Sequence, residues 1–360
     1  MSDWQWFEEY EAEVYAQGDM ERIRLLQFHR DAFDVRETDP DRTLALFAEG
    51  RRQALALGEP WWVMLYQHWE VHGTLYYNRD YHDVLDRAVR NALEVRKPKF
   101  AGFPQRVWIY NDLVNIYLNL DPRGYAVEIE QALSQAEGEL TPEMDNSPYL
   151  LRCSRFNAAS NQNRWDDALA IALRTHAIAQ ADPNRWTADH FLINNFLFLC
   201  HVGHQLKQWS EVAAWAAAGE ELARQRDYPR AVAVLLMWRA ACAMRNGDKE
   251  AASRFQRTAA SRMGRLKTPL TDDYYDALCT YHELTGNPER SMRLRDQQLQ
   301  ESIERGMIFR EFEARLARLR LLREMGQPLE QDLSEARAAT NKFRRPDLYL
   351  PDIDRLLAEM

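Results

Sequence analysis

Apolar residues recur along this chain in adjacent pairs set four positions apart. From Tyr81 to Arg96, the residues Val84, Leu85, Ala88, Val89, Ala92 and Leu93 share one stripe of a 3.6-residue period. Asp83, Asp86, Arg87, Arg90 and Asn91 lie largely outside that stripe. The same rhythm returns at Ala168, Leu169, Ala172 and Leu173, at Val212, Ala213, Ala216 and Ala217, and at Ala251, Ala252, Phe255 and Ala259. No stretch sustains apolar–polar alternation and β-branched residues are sparse, so the pattern predicts an all-α protein.

Each such helix follows a short polar turn. The turns read Asn78-Arg79-Asp80-Tyr81, Gln162-Asn163-Arg164-Trp165, Leu206-Lys207-Gln208-Trp209, Asn246-Gly247-Asp248-Lys249, Thr285-Gly286-Asn287-Pro288 and Met325-Gly326-Gln327-Pro328, with a longer one at Asp121-Pro122-Arg123-Gly124-Tyr125. Glycine suits a helix C-cap, and Asn or Asp before Pro or an aromatic suits the next N-terminus. The turns end at 81, 125, 165, 209, 249, 288 and 328, a repeat near 40 residues. Longer connections carry Pro60, Pro98, Pro183, Pro229 and Pro269. A fixed period holding two helices predicts an α-solenoid of seven hairpins: 60–97, 104–137, 147–181, 186–227, 229–264, 271–305 and 308–342. Three helices, near 3–17, 19–36 and 41–57, precede them, and a helix near 347–358 follows. The expected organisation is an N-terminal three-helix segment over 1–58, the hairpins over 59–345 and a C-terminal capping helix over 346–360, in one continuous solenoid.

Composition narrows the function. A net charge of −9 disfavours nucleic acid as the main partner, since phosphate affinity needs excess Lys and Arg. The most apolar run, Phe191 to Cys200, is interrupted by Asn194 and Asn195 and too short to span a bilayer. The acidic, aromatic start Met-Ser-Asp-Trp is no signal peptide, and the four scattered cysteines form no CxxC pair, which together point to a reducing cytoplasm.

The units resemble tetratricopeptide repeats. Trp69, Gly73, Tyr76, Leu85, Val89, Ala92 and Pro98 follow that family's large–small–aromatic pattern in the first helix and its small–bulky–small pattern in the second. Gly73 is expected to let the paired helices approach. Other units are degenerate, with Cys242 or Ala241 and Cys279 or Thr280 near the small position, and the long period resembles bacterial variants of the family; HEAT-type repeats are the structural alternative. The resemblance implies a right-handed superhelix whose first helices line a concave groove for a peptide or partner segment. The layout of three helices and seven hairpins is also similar to Rap-type peptide-sensing regulators, which implies an alternative in which residues 1–60 contact a response regulator.

Within that groove, Asn111, Asn115 and Asn119 lie at i, i+4 and i+8 on one first helix, Asn157 and Asn161 share a face of the next, and Asn194 begins the one after. Asparagine offers donor and acceptor together, so a ladder of it can read a peptide backbone. Glu70 aligns with Asn111 and extends the wall, with Lys99 and Arg106 adding positive charge. His68 and His72 stand one turn apart, a spacing that permits shared metal ligation, but no third ligand is apparent nearby, and packing is the favoured reading. Cys200 and His204 are likewise one turn apart, and core packing is again favoured over a thiolate–imidazole pair. The arginines from Arg310 to Arg323 point several ways round their helix, as a salt-bridged surface does. No GxSxG, Walker A or GxGxxG motif occurs. The expectation is a non-catalytic protein- or peptide-binding scaffold without metal or cofactor, and a helical metallo- or thiol enzyme is the remote alternative.

Overall fold

The computed structural model describes residues 2–77, 81, 83–182, 184–266 and 271–358. The predicted turn at Asn78-Arg79-Asp80 and the prolines at 183 and 269 lie outside the described residues. Within them the chain is helical, and no strand occurs. Helices α1 (Gln5–Gln17), α2 (Met20–Val35) and α3 (Pro40–Leu57) come first. Seven hairpins follow: α4 (Pro60–Tyr76) with α5 (Val84–Glu94), α6 (Arg106–Leu120) with α7 (Ala126–Gly138), α8 (Ser147–Asn161) with α9 (Trp165–Ala181) and α10 (Arg185–Gln205) with α11 (Trp209–Gln225). The last three are α12 (Pro229–Arg245) with α13 (Lys249–Met263), α14 (Asp272–Leu284) with α15 (Pro288–Glu304) and α16 (Ile308–Glu324) with α17 (Glu330–Thr340). Helix α18 (Leu350–Ala358) ends the series. This is the all-α helical repeat that the period predicts.

The polar turns work as their composition requires. Asn163, Lys207, Gly247, Gly286 and Gly326 all adopt left-handed backbone, with φ between 60° and 82°. In the next helix, Asp248 and Asn287 accept the backbone N–H groups of Ala251 and Arg290. One residue thus closes a helix and another opens the next, satisfying donors and acceptors that every helix end leaves bare.

The chain gathers into two compact units. The first comprises Met1–Tyr117 and Val127–Ser154, and α1–α3 belong to it together with α4, α5 and most of α7. Consecutive helices α2, α3, α4 and α5 pack in series. The small residue of α4 serves a different contact from the one its repeat position suggests: a Cβ on Gly73 would come 2.7 Å from Leu44, so the close approach is to the preceding α3. Aromatics fasten α1 to this unit. The Trp6 ring meets Trp61, Trp62 and Phe103 edge-on at 5.4–5.7 Å, and its N–H donates to Gln105 at 2.6 Å. Asp3 accepts the backbone N–H groups of Asp145 and Asn146 at 3.0 and 2.9 Å, an anion lent to the N-terminus of α8.

The second unit comprises Leu118–Ala126, Arg155–Leu266 and Leu270–Met360. Its centre is α12, which is apolar around its whole circumference: from Val232 to Trp238 no residue exceeds 2% exposure. A helix of that kind must be covered on all sides, and α10, α11, α13 and α14 cover it. Within each hairpin small residues set the spacing. A Cβ on Gly203 of α10 would lie 2.8 Å from Trp215 and Val212 of α11. Cys200 directs its thiol to the Val212 carbonyl and Cys279 its thiol to that of Ser291, twelve positions on in both cases. The cysteines thus pack as small residues, as expected. A smaller core of Phe309, Phe312, Phe343 and Tyr349 carries α18. Among the described residues no helix is long and apolar enough to cross a membrane.

Candidate functional site

The asparagines divide into buried clips and half-exposed positions. Asn111 is only 2% exposed and accepts a hydrogen bond from the Ser154 hydroxyl, joining α6 to α8. It therefore has no surface to offer a ligand, in place of the expected groove position. Asn115, one turn on, is half-buried beside the same hydroxyl, and Asn119 is half-buried. In the second unit Asn161 donates to the Leu118 carbonyl at 3.3 Å. Asn195 is buried and donates to the Ala172 carbonyl, tying α10 to α9. Asn157 and Asn194 are half-buried, and Asn194 approaches the His190 ring one turn away at 3.4 Å.

Glu70 does not extend a wall shared with Asn111. It accepts from Arg51 of α3 at 2.7 Å and lines a cavity of about 590 Å³ between α3, α4 and α5. From α4, His68 meets α6 through Asp112 at 2.8 Å, and Trp69 meets it through the Trp108 ring at 5.9 Å. Lys99 and Arg106 are taken up by Glu94 and Glu139. The arginines of α16 behave as a salt-bridged surface: Arg315 meets Glu311 and Glu335, Arg318 meets Asp332, and Arg323 caps the Leu356 carbonyl.

A charged face that the sequence pattern does not single out lies in the second unit, on the first helices of successive hairpins. His201 of α10 reaches past α12 to Asp273 and Asp276 of α14, at 3.9 and 3.7 Å. His204, one turn on, meets the Thr280 hydroxyl of α14 at 3.4 Å. Arg310 of α16 pairs with Asp272 at 2.7 Å, and Arg295 of α15 with Asp276 at 2.8 Å. Glu313, one turn from Arg310, and Asp273 form no ion pair with a lysine or arginine among the described residues, although Arg310 lies near enough to both to favour their charged forms.

Both carboxylates reach solvent: Glu313 is exposed, and Asp273 keeps a third of its side-chain surface open. Enclosure pushes Asp273 up to about 6, with the charges of Asp276 and Asp272 adding to the effect and His201 opposing it. Glu313 is also pushed up, by enclosure first and then by Asp272 and Asp276. Asp276 behaves differently: enclosure alone would raise it, but the Arg295 guanidinium and His201 together hold it below the usual range. The signal in the sequence was the spacing of Asp273, Asp276 and Thr280 on one face of a first helix.

The Cys200 thiol is fully buried, and burial pushes it well above its ordinary range. Burial also lowers His204, to about 4. A buried neutral thiol bonded to a carbonyl is not a nucleophile. In the first unit, His68, His72 and Asp112 converge, their ligand-type atoms all within 4.8 Å of one another.

No family model matches the chain, and no curated protein matches it in sequence.

Proposed function

We propose that the second unit is a non-catalytic binding scaffold that holds a peptide or protein segment carrying basic side chains along the first helices α8, α10, α14 and α16. The observation that supports this is the pair of solvent-reached carboxylates, Asp273 and Glu313, which form no ion pair with a lysine or arginine among the described residues. Asp272 and Asp276 disfavour the charged form of both groups, so this acidic face gains from a further cation. A lysine or arginine of a ligand would supply the missing charge and return both groups to ordinary ionisation. Asn157 and Asn194, half-exposed on neighbouring first helices, would then bond the ligand backbone. This keeps the tetratricopeptide-like reading of the repeat and moves its recognition from an asparagine ladder to a charged face.

Panning the full chain against a displayed random peptide library tests it, alongside an Asp273→Asn/Glu313→Gln double variant whose helicity is checked by circular dichroism. Enrichment of Lys- or Arg-containing peptides by the wild type, lost in the variant, is the expected result. Equal enrichment by both proteins, or none by the wild type, would end this reading.

A further inference from the structure

We propose that His68, His72 and Asp112 form a binding site for one divalent transition-metal ion, zinc being the ion that best suits two imidazoles and one carboxylate. The site lies within the first unit and is independent of the peptide-binding reading. The two histidines sit one turn apart on α4, so their rings project from the same side of one rigid helix. What their spacing lacked in the sequence was a third ligand, and α6 brings it from 40 residues beyond His72: Asp112 approaches His68 Nδ1 to 2.8 Å.

Two observations separate this cluster from an ordinary buried ion pair. First, the donor atoms of all three residues lie within 4.8 Å of one another. In tetrahedral zinc coordination two ligands are about 3.3 Å apart, so small side-chain rotations close the shell. Second, Asp112 is 2% exposed, and its second oxygen, Oδ1, has no hydrogen-bond partner. A buried carboxylate oxygen left bare is costly, and a cation at the centre of the three residues would engage it.

The surroundings fit a metal site as well. Trp69 and Trp108 lie against the His68 ring at 4.5 and 5.3 Å, forming apolar walls that strengthen coordination by excluding water. Trp108 is itself fixed by its bond to the Ser147 hydroxyl. Three protein ligands leave one coordination position for water or an exogenous ligand.

The test uses the full chain without a histidine tag, stripped with chelator and titrated with Zn²⁺ in competition with a chromophoric chelator. Asp112→Asn, His72→Gln and a control, His176→Gln, are titrated in parallel. One equivalent should bind to the wild type and the control, with affinity reduced by about 100-fold or more in the other two. Absence of stoichiometric binding by the wild type, or affinities unchanged in both ligand variants, would overturn the assignment. Should either variant misfold, the wild type loaded with Co²⁺ decides. Intense visible absorption of a four-coordinate site supports the proposal, and the pale spectrum of six-coordinate cobalt overturns it.

Discussion

The Tyr349 hydroxyl donates to Asp121 Oδ1 at 2.5 Å, across 228 residues of chain. Around this bond the end of the second unit is fastened to the turn before α7. Asp121 also accepts the backbone N–H groups of Gly124 and Arg344, at 2.7 and 2.8 Å. Arg123 lies over the Tyr349 ring, donates to the Leu348 carbonyl and pairs with Asp352 at 2.5 Å. Tyr349 is fully buried and stacks on Phe343 at 3.7 Å, so the polar clasp and the apolar core beneath α18 share one side chain.

Tyr349→Phe keeps the ring and removes the hydroxyl, leaving Asp121 buried with one partner fewer. We expect a loss of about 1–3 kcal/mol, the cost of an unsatisfied buried acceptor. Gly124→Ala should have an effect of the same sign, because its Cβ would come 2.0 Å from Asp121 Oδ2 and push the carboxylate away. Urea denaturation followed by circular dichroism measures both. Unchanged midpoints would mean that the clasp contributes nothing to the fold.

The asparagines separate by what they hold. Asn195→Ala removes the side-chain donor that ties α10 to the Ala172 carbonyl, and Asn111→Ala removes the nearer acceptor of the Ser154 hydroxyl. Each should cost about 1–2 kcal/mol in thermal unfolding. Asn157→Ala and Asn194→Ala, which break no interhelix bond among the described residues, should stay within about 0.5 kcal/mol. A reversed order would mean that the half-exposed pair, and not the buried pair, supports the packing.

These residues show what the sequence could convey. The helices and their hairpin pairing were legible because turn chemistry is local: Gly247-Asp248 and Gly286-Asn287-Pro288 say where one helix stops and the next starts whatever surrounds them. Which face of a first helix meets solvent was not legible. Helix α6 is packed on several sides, with Val107, Ile109, Val114 and Ile116 all buried, so polarity does not mark an exposed stripe. Asn111 and Asp112 are both buried in consequence, each satisfied or left wanting by a helix some 40 residues away. The charged face at His201, Asp273 and Glu313 joins three hairpins, and the Tyr349–Asp121 bond spans most of the second unit. No local pattern encodes such pairings.

Stability should fall on acidification, and His29 should carry part of the effect. It sits among Trp4, Phe7, Phe33, Trp62 and Trp69, with Nε2 buried and unpartnered. Burial, helped by the nearby His68, lowers it to about 3, from about 6.5 in the unfolded chain. Between these values the unfolded state binds a proton that the native state refuses. The contribution of His29 is therefore whole above about pH 6.5 and declines below it by up to about 1.4 kcal/mol per pH unit. His29→Phe should flatten the dependence of the urea midpoint between pH 7 and 5; a slope equal to that of the wild type would assign the effect to other groups.

A left-handed residue closes the first helix of several hairpins. In three turns it is glycine, at 247, 286 and 326; in the α10–α11 turn it is Lys207, at φ 61°. A side chain in this conformation brings Cβ against the backbone carbonyl, at a cost of about 1 kcal/mol that glycine avoids. Lys207→Gly should therefore stabilise the second unit, although the freer unfolded chain offsets part of the gain. The net effect expected is about 0.5 kcal/mol or more, read as a higher thermal midpoint. The reciprocal variant, Gly247→Ala, places a Cβ in open space, with nothing within 4 Å, so any loss it shows is conformational and not steric. It should destabilise by about 1 kcal/mol. Opposite signs for the two variants would show that the turns of this repeat are set by backbone conformation. A stabilising Gly247→Ala would show that side-chain entropy and helix propensity outweigh it.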